Sequence, residues 1–286
     1  GLAGSTPLIS TVLMNLIPAR VAGVRRIVVA TPCRPDGTIH PCLLHACSLA
    51  GATDILRAGG AHGVAALAFG SSTRPPCAKI VGPGNRYVQE AKRQLFGRVD
   101  IDMMAGPSEI AILADAEADP AWLAADMIAQ AEHDPMAAAV LFSPSDALNH
   151  QVAAELELQL EDLPRADIAR ASLRDYGALC RCTDLKQGIA WINRMAPEHL
   201  EVVTREPEAW LEHIEHAGAI FLGAHSPEVV GDYVAGPSHT LPTCGAARFS
   251  SGITVHTFLK STSLIEMQPK GLVRDLEHIV HIARAE

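Results

Sequence analysis

Short runs of β-branched and apolar residues alternate along this chain with Ala- and Leu-rich stretches of helical period. Residues 26–30 (RIVVA) predict a strand that stops at Thr31-Pro32, and residues 41–50 predict the helix after it. Residues 54–57 predict a weaker strand before Gly59-Gly60, 61–69 a helix, and 79–81 a strand ending in GPGN, where Gly84-Asn85 opens the helix NRYVQEAKRQLF. The second half repeats the alternation. Residues 105–115 (AGPSEIAILAD) are a glycine-proline turn running into a strand, with Ser108 at the junction. Residues 138–142, 179–182, 200–203 and 219–222 predict further strands, and residues 145–163 a long helix with an acidic outer face. Residues 185–194 and 206–214 predict helices between these strands, and GLVRDLEHIVHIARAE a closing helix. Such alternation argues for parallel sheets with helices on both faces. Ligands of such sheets gather at the carboxyl ends of the strands. With no low-complexity linker between them, the two α/β units are expected to share an interface, and a cleft there is the natural place for chemistry.

The run DPAWLAADMIAQAEHD, residues 119–134, carries most of the polar anomaly. Asp119 followed by Pro120 reads as a helix start, because the carboxylate can accept from first-turn amides and proline loses nothing at the first helical position. Leu123, Met127 and Gln130 then fall at helical spacing, which sets Gln130 on or beside the buried face, with His133 one turn on along the same stripe. A buried amide and imidazole must find partners or cost stability. Either they bond each other or the backbone, or they share a metal ion.

Composition narrows the classes. Of 286 residues, 48% are apolar and 19% charged, which suits well-packed α/β units and excludes disorder. A net charge of -9 without any basic run argues against nucleic acid or an anionic membrane as partner. The sequence shows no stretch of spanning length and no signal peptide, so the expected compartment is the cytoplasm. The chain starts at Gly1, inside what reads as a glycine-rich loop, so the sequence is expected to begin within a longer protein. Seven scattered cysteines without a C-x-x-C pair give no zinc-ribbon or thioredoxin reading, and reduced packing thiols fit best.

Three polar clusters remain. Glu198 and His199 follow Pro197 at the mouth of a predicted strand, where an acid beside an imidazole can be a proton-transfer pair or a surface ion pair. Asp232 and His239 lie in the loop GDYVAGPSHTLPT, and a carboxylate, an imidazole and a carbonyl oxygen suit zinc better than calcium or an iron-sulfur centre. Glu286 ends the closing helix. The turns GGAH (59–62) and VGPGN (81–85) set amides where phosphate could sit, but neither is the G-x-G-x-x-G pattern.

Taken together, AGPSE, AQAEHD, PEHLE, GDYVAGPSHTLPT and ARFSSG, in this order and with STVLM and GPGN upstream, resemble the L-histidinol dehydrogenase family over the whole length. The resemblance implies an α/β fold of two incomplete Rossmann-like domains with parallel-rich sheets and a small C-terminal helical segment. The expected division is 1–107 on the nucleotide side, 108–253 for zinc and substrate, and 254–286 exchanged with a partner subunit of a homodimer. It implies Gln130, His133 and Asp232 as ligands of one zinc per subunit, with a fourth ligand, a histidine, shortly past Glu286. It also implies Ser108, His239 and the partner-directed Glu286 as substrate contacts, alongside Gln130, His133, His199 and Asp232. Asn85, with position 62, would contact NAD, and Glu198 and His199 would be the acid-base pair.

The implied reaction oxidises histidinol to histidine through the aldehyde with two NAD, the last step of histidine synthesis. His199 would take the alcohol proton, Glu198 would activate the water that hydrates the aldehyde, and His199 would act again in the second oxidation. Three departures stand out. His62 replaces the family's glutamine in the GGA-Q turn, Ser238 replaces an asparagine in G-P-N-H, and the tyrosine of a V-Y-V-P-G-G segment would precede Gly1. Two other readings remain open: a dehydrogenase of the same architecture for another polar alcohol such as a sulfonated diol, and a truncated, inactive zinc- or imidazole-binding protein.

Overall fold

The computed structural model describes residues 8–164 and 166–286, so the turn around Gly1 lies outside the described residues. The chain opens with α1 (Ile9–Val21), β1 (Val28–Ala30), α2 (Pro41–Ala50), β2 (Asp54–Leu56) and α3 (Gly60–Phe69). Then come β3 (Lys79–Ile80), α4 (Arg86–Leu95) and β4 (Asp100–Ile101). The alternation read from the sequence is present, and each strand pairs in parallel: β1 with β2, and β3 with β4, as two separate ribbons. A cavity of about 1220 Å³ lies against both ribbons, walled by α1, α3 and α4. Its rim at the carboxyl ends of β1 and β3 is formed by Thr31, Pro32 and the turn from Gly82 to Asn85. Asn85 starts α4 by accepting from the Tyr87 and Val88 amides at 3.1 and 3.2 Å, which satisfies donors the helix cannot.

The second half builds one five-stranded sheet. It uses β5 (Glu109–Ala114), α5 (Pro120–Ala131), β6 (Ala138–Ser143), α6 (Asp146–Glu161), α7 (Ala166–Tyr176) and β7 (Gly177–Arg181). It continues through α8 (Leu185–Met195), β8 (His199–Val203) and β9 (Ala219–Leu222) to α9 (Val229–Tyr233), and α10 (Pro269–Ala285) closes the chain. The strand order is β7-β6-β5-β8-β9, with every pairing parallel. Central β5 is apolar throughout its last five residues, and Ile110 to Ala114 are wholly buried, as a strand covered on both faces requires. Burying an Ile or Leu side chain contributes about 1.5–3 kcal/mol. Ile110, Ile112, Leu123, Leu141 and Leu148 therefore make this sheet with α5 and α6 the main core. Chain order runs outward from β5 through β6 to β7 on one side and from β8 to β9 on the other. The sheet thus has its topological switch between β5 and β8.

Three local readings change. The α5 helix ends at Ala131 with Glu132 as its cap, so His133 lies just beyond the helix rather than on its stripe. Residues 207–213 form a 3-10 helix rather than an α-helix. Asn193 pins its end, donating to the His213 carbonyl at 2.8 Å and accepting from the Glu215 amide at 2.8 Å. Residues 166–176, to which the sequence reading assigned no element, form the helix α7. It packs through Ala169 and Ser172, whose hydroxyl donates to the Ala137 carbonyl at 2.8 Å.

The two halves touch through specific bonds. The Ser238 hydroxyl donates to the Met14 carbonyl of α1 at 3.0 Å, and the Ala105 amide donates to the Gln89 side chain of α4 at 3.0 Å. Among the described residues, no helix is long and apolar enough to cross a membrane.

Candidate active site

The acid-base cluster lies at the sheet's switch point, at the amino ends of β5 and β8. General expectation for such sheets favoured the carboxyl ends. The reason for the difference is local: Ser108 and Glu109 open β5, Glu198 and His199 open β8, and the two strands are in register there, with Ile110 opposite His199. The α5 helix runs back against the strands, which brings its last turn and Gln130 to the same mouth. The chain after β9 then returns across it with Glu228 and His239.

His199 is held tightly. Its Nδ1 lies 3.1 Å from the Glu109 carbonyl and 3.0 Å from Gln130 Oε1. Both partners are acceptors, so Nδ1 carries the proton and Nε2 presents a lone pair. Among the described residues Nε2 is buried without a hydrogen-bond partner. The ring stacks on His239 with centroids 4.6 Å apart and planes 14° apart. Burial pushes the His199 pKa down to about 4, against the pull of the Glu228 carboxylate, so the ring is neutral at pH 7.

Glu198 has the opposite setting. Its Oε2 accepts from the Glu109 amide at 3.1 Å, and the Ser108 hydroxyl bonds the same carboxyl, yet burial pushes its pKa up to about 8. These two groups oppose each other in the pH dependence of stability. With His199 near 4 rather than 6.5, the native chain binds fewer protons than the unfolded chain, and stability is lost as pH falls through that window. With Glu198 near 8 rather than 4.5, the native chain binds more protons, and that contribution is lost as pH rises from 4.5 to 8. Glu198→Gln is therefore expected to flatten the decline in melting temperature between pH 4.5 and 8, measured by thermal unfolding. An unchanged slope would contradict the buried, protonated carboxyl.

A second layer of carboxyls was not visible in the sequence. Glu228 Oε1 accepts from His239 Nε2 at 3.0 Å and lies 3.5 Å from His199 Nε2. Burial works to raise the Glu228 carboxyl, but the bond from His239 and the neighbouring imidazoles of His199, His239 and His133 outweigh it and leave its pKa below the usual value. Behind it, Glu201 Oε1 accepts the Glu228 amide at 2.7 Å. Burial holds Glu201 well above the usual carboxylate range and likewise raises Asp126 of α5, to about 6. A glutamate inside the otherwise apolar run LEVV of β8 was the one signal for this layer. Glu228 left none, because only the return of the chain after β9 brings it inward.

The structure brings together Ser108, Gln130, Glu198, His199 and His239. Asp232 and His133 lie close enough to matter electrically. Burial raises the Asp232 carboxyl, while His239 and His133 pull it down. His133 also acts on His199 and Glu228. Asn85 lines the separate cavity of the first half, His62 is exposed on α3, and Glu286 is exposed at the end of α10. Among the described residues, the tightest group of metal-type donors is His199, Glu228 and His239, with donor atoms within 4.8 Å of one another. With His239 Nε2 donating to Glu228, these three form a hydrogen-bonded group whose donor atoms are also close enough together to hold a cation. Cys244, in a left-handed conformation at φ 54, donates its amide to Glu109 Oε1 at 2.9 Å. Its sulfur occupies the space where a side chain at Gly106 would sit, 2.2 Å from an added Cβ, which is why AGPSE needs glycine there.

A parallel α/β sheet with a neutral buried imidazole beside a buried carboxyl of raised pKa at its switch point defines an α/β protein with titratable groups gathered where its chain order reverses. The chain belongs to the histidinol dehydrogenase family, whose sequence profile matches residues 3–286. It is 55% identical over 286 residues to histidinol dehydrogenase of Nitratidesulfovibrio vulgaris, covering 100% of this chain and 66% of that protein. It is 53% identical over 277 residues to that of Moorella thermoacetica, covering 97% and 65%. The crystal structure of histidinol dehydrogenase from Elizabethkingia anophelis matches with a TM-score of 0.95 at 39% identity, over 99% of this chain and 65% of that one. The chain thus spans about two thirds of the length of the curated relatives it matches.

Proposed function

We propose that this chain carries the zinc- and substrate-binding part of a histidinol dehydrogenase and oxidises histidinol to histidine in two hydride steps. The observation that carries the reading is the state of His199: Nδ1 bonded to two acceptors, Nε2 bare, buried and neutral. That is the form a general base must have before it accepts an alcohol proton. The donor set of Gln130, His133 and Asp232, one amide oxygen, one imidazole and one carboxylate, suits a divalent ion of zinc type, and Gln130 reaches the His199 ring at 3.0 Å. Bound zinc would hold and polarise the substrate, and bound NAD would take the hydride.

The chain's own residues do the rest. His199 Nε2 takes the hydroxyl proton as the alcohol is oxidised, and again when the hydrated aldehyde is oxidised. Glu198 deprotonates the water that hydrates the aldehyde. A carboxyl with a pKa near 8 is a stronger base than an ordinary carboxylate once it ionises. Ser108, which bonds Glu198, and His239 line the substrate's place, with Glu286 supplied by a second subunit. Asn85, at the rim of the 1220 Å³ cavity, would face the nicotinamide cofactor, with His62 in place of the family's glutamine at the neighbouring turn. The division into 1–107, 108–253 and 254–286 follows this assignment of roles.

The homodimer is supported by α10, which buries none of its residues and exposes Leu272, Val273, Leu276, Ile279 and Ile282. A helix with that apolar stripe finds its partner elsewhere. The chain is expected to sediment as a dimer, and the double variant Leu276→Glu with Ile279→Glu as a monomer; a monomeric parent chain would end the exchange. The test of function is NADH formation by the zinc-loaded chain with histidinol. Turnover with a sulfonated diol and none with histidinol would redirect the assignment to another polar alcohol. Zinc binding without either turnover would support an inactive binding protein.

A further inference from the structure

We propose that Glu228 is a positioning residue: it fixes His239 in one tautomer and one place, so that the His239 ring becomes the wall against which His199 is stacked. This rests on the reading of His199 as the base and adds a residue which that mechanism leaves without a task. The Glu228 side chain is 6% exposed and its carboxylate accepts a hydrogen bond from His239 Nε2 at 3.0 Å. The same oxygen stands 3.5 Å from His199 Nε2 without forming a hydrogen bond, so it faces the bare lone pair and does not occupy it.

Three further contacts leave His239 little freedom. Its ring stacks on His199 at 4.6 Å and 14°, and Phe221 meets it nearly edge-on at 5.9 Å and 68°. It also presses on the backbone of Gly231, where an added Cβ would fall 2.4 Å from the ring. Packing of this kind sets the plane of an imidazole but not which nitrogen bears the proton. The Glu228 carboxylate does that, since it can only accept.

The carboxylate is itself anchored from behind. Glu201 Oε1 holds the Glu228 amide at 2.7 Å, and Glu201, 1% exposed, has an Oε2 with no donor to accept from among the described residues. Burial holds the Glu201 pKa well above the usual carboxylate range, while its other oxygen keeps hold of the Glu228 amide. The chain of contact therefore runs from β8 through the start of α9 to the two imidazoles. Neighbours of this kind, which orient the groups that touch substrate, commonly change activity by about 10–100-fold when removed.

The test is the tautomer of His239, read by long-range proton–nitrogen NMR on the full chain labelled with 15N-histidine. His239→Asn assigns the signal. The parent chain is expected to show His239 with its proton on Nε2. Glu228→Gln, whose amide oxygen can still accept, is expected to keep that state. Glu228→Leu is expected to release a mixture of tautomers while unfolding cooperatively. Histidinol oxidation should fall about 10–100-fold in kcat in the leucine variant, with KM moving less, and be largely rescued in the glutamine variant. A proton on Nδ1 of His239 in the parent chain would overturn the proposal, and so would an unchanged tautomer in Glu228→Leu. A glutamine variant that loses the state as fully as the leucine variant would overturn it too. Should the leucine variant fail to fold, the parent and glutamine spectra still decide. If the parent chain does not oxidise histidinol, the proposed function falls while the tautomer result stands on its own.

Discussion

His199→Asn is expected to lower histidinol oxidation by about 10²–10⁴-fold, the usual worth of a positioned general base, while leaving the fold intact. The fold survives because asparagine can place an amide nitrogen where Nδ1 stands and still donate to the Glu109 carbonyl and Gln130 Oε1. What disappears is the lone pair at Nε2, which no other described group supplies at that position. Glu198→Gln should behave differently. It keeps the bond from the Glu109 amide, spares aldehyde formation and slows the second oxidation. Single-turnover NADH formation from histidinol and from the aldehyde separates the two steps. Equal losses at both steps in both variants would contradict the division of roles.

The largest stability effect is expected from Asp102→Ala, at about 3–5 kcal/mol in urea unfolding. Lys92 and Asp102 form an ion pair at 2.5 Å with both side chains 1% exposed. Asp102 also accepts the Gly82 amide at 2.7 Å, and Lys92 donates to the Gly82 carbonyl at 3.1 Å. The pair therefore clamps both polar groups of Gly82, which sits at φ +109 and leads into the turn before Asn85. Removing the carboxylate leaves a buried ammonium with one carbonyl for company and frees the Gly82 amide. Replacing both partners, Lys92→Met with Asp102→Ala, should recover part of the loss because the uncompensated charge goes too. A loss under about 1 kcal/mol in the single variant would mean that water reaches the pair.

Much of the architecture was written in local pattern. Strand β9 and helix α2 have the bounds that apolar runs and proline or glycine punctuation suggest, and Asp119 caps α5 by accepting the Ala121 amide at 2.8 Å. The five motifs carried the family, because residues that must touch one ligand keep their local neighbours. Less was legible where a residue's role depends on a distant segment. Residues 166–176 went unread, because α7 buries only Ala169 and Ser172, small residues that leave no long apolar run. The site's place at the amino ends of β5 and β8 follows from how α5 and the chain after β9 return, which no window of sequence contains.

By itself the sequence determined most of the strands and helices, that the strands are parallel, and which family the chain joins. These depend on period, caps and short spacings, and such signals are complete within a few residues. The tertiary structure alone decided that Glu228 faces two imidazoles, that Glu201 is buried behind it, and that His199 keeps Nε2 bare. Charge state and tautomer are set by desolvation and by partners up to 90 positions away, as Glu109 is from His199. Such forces exist only once the sheet has closed around them.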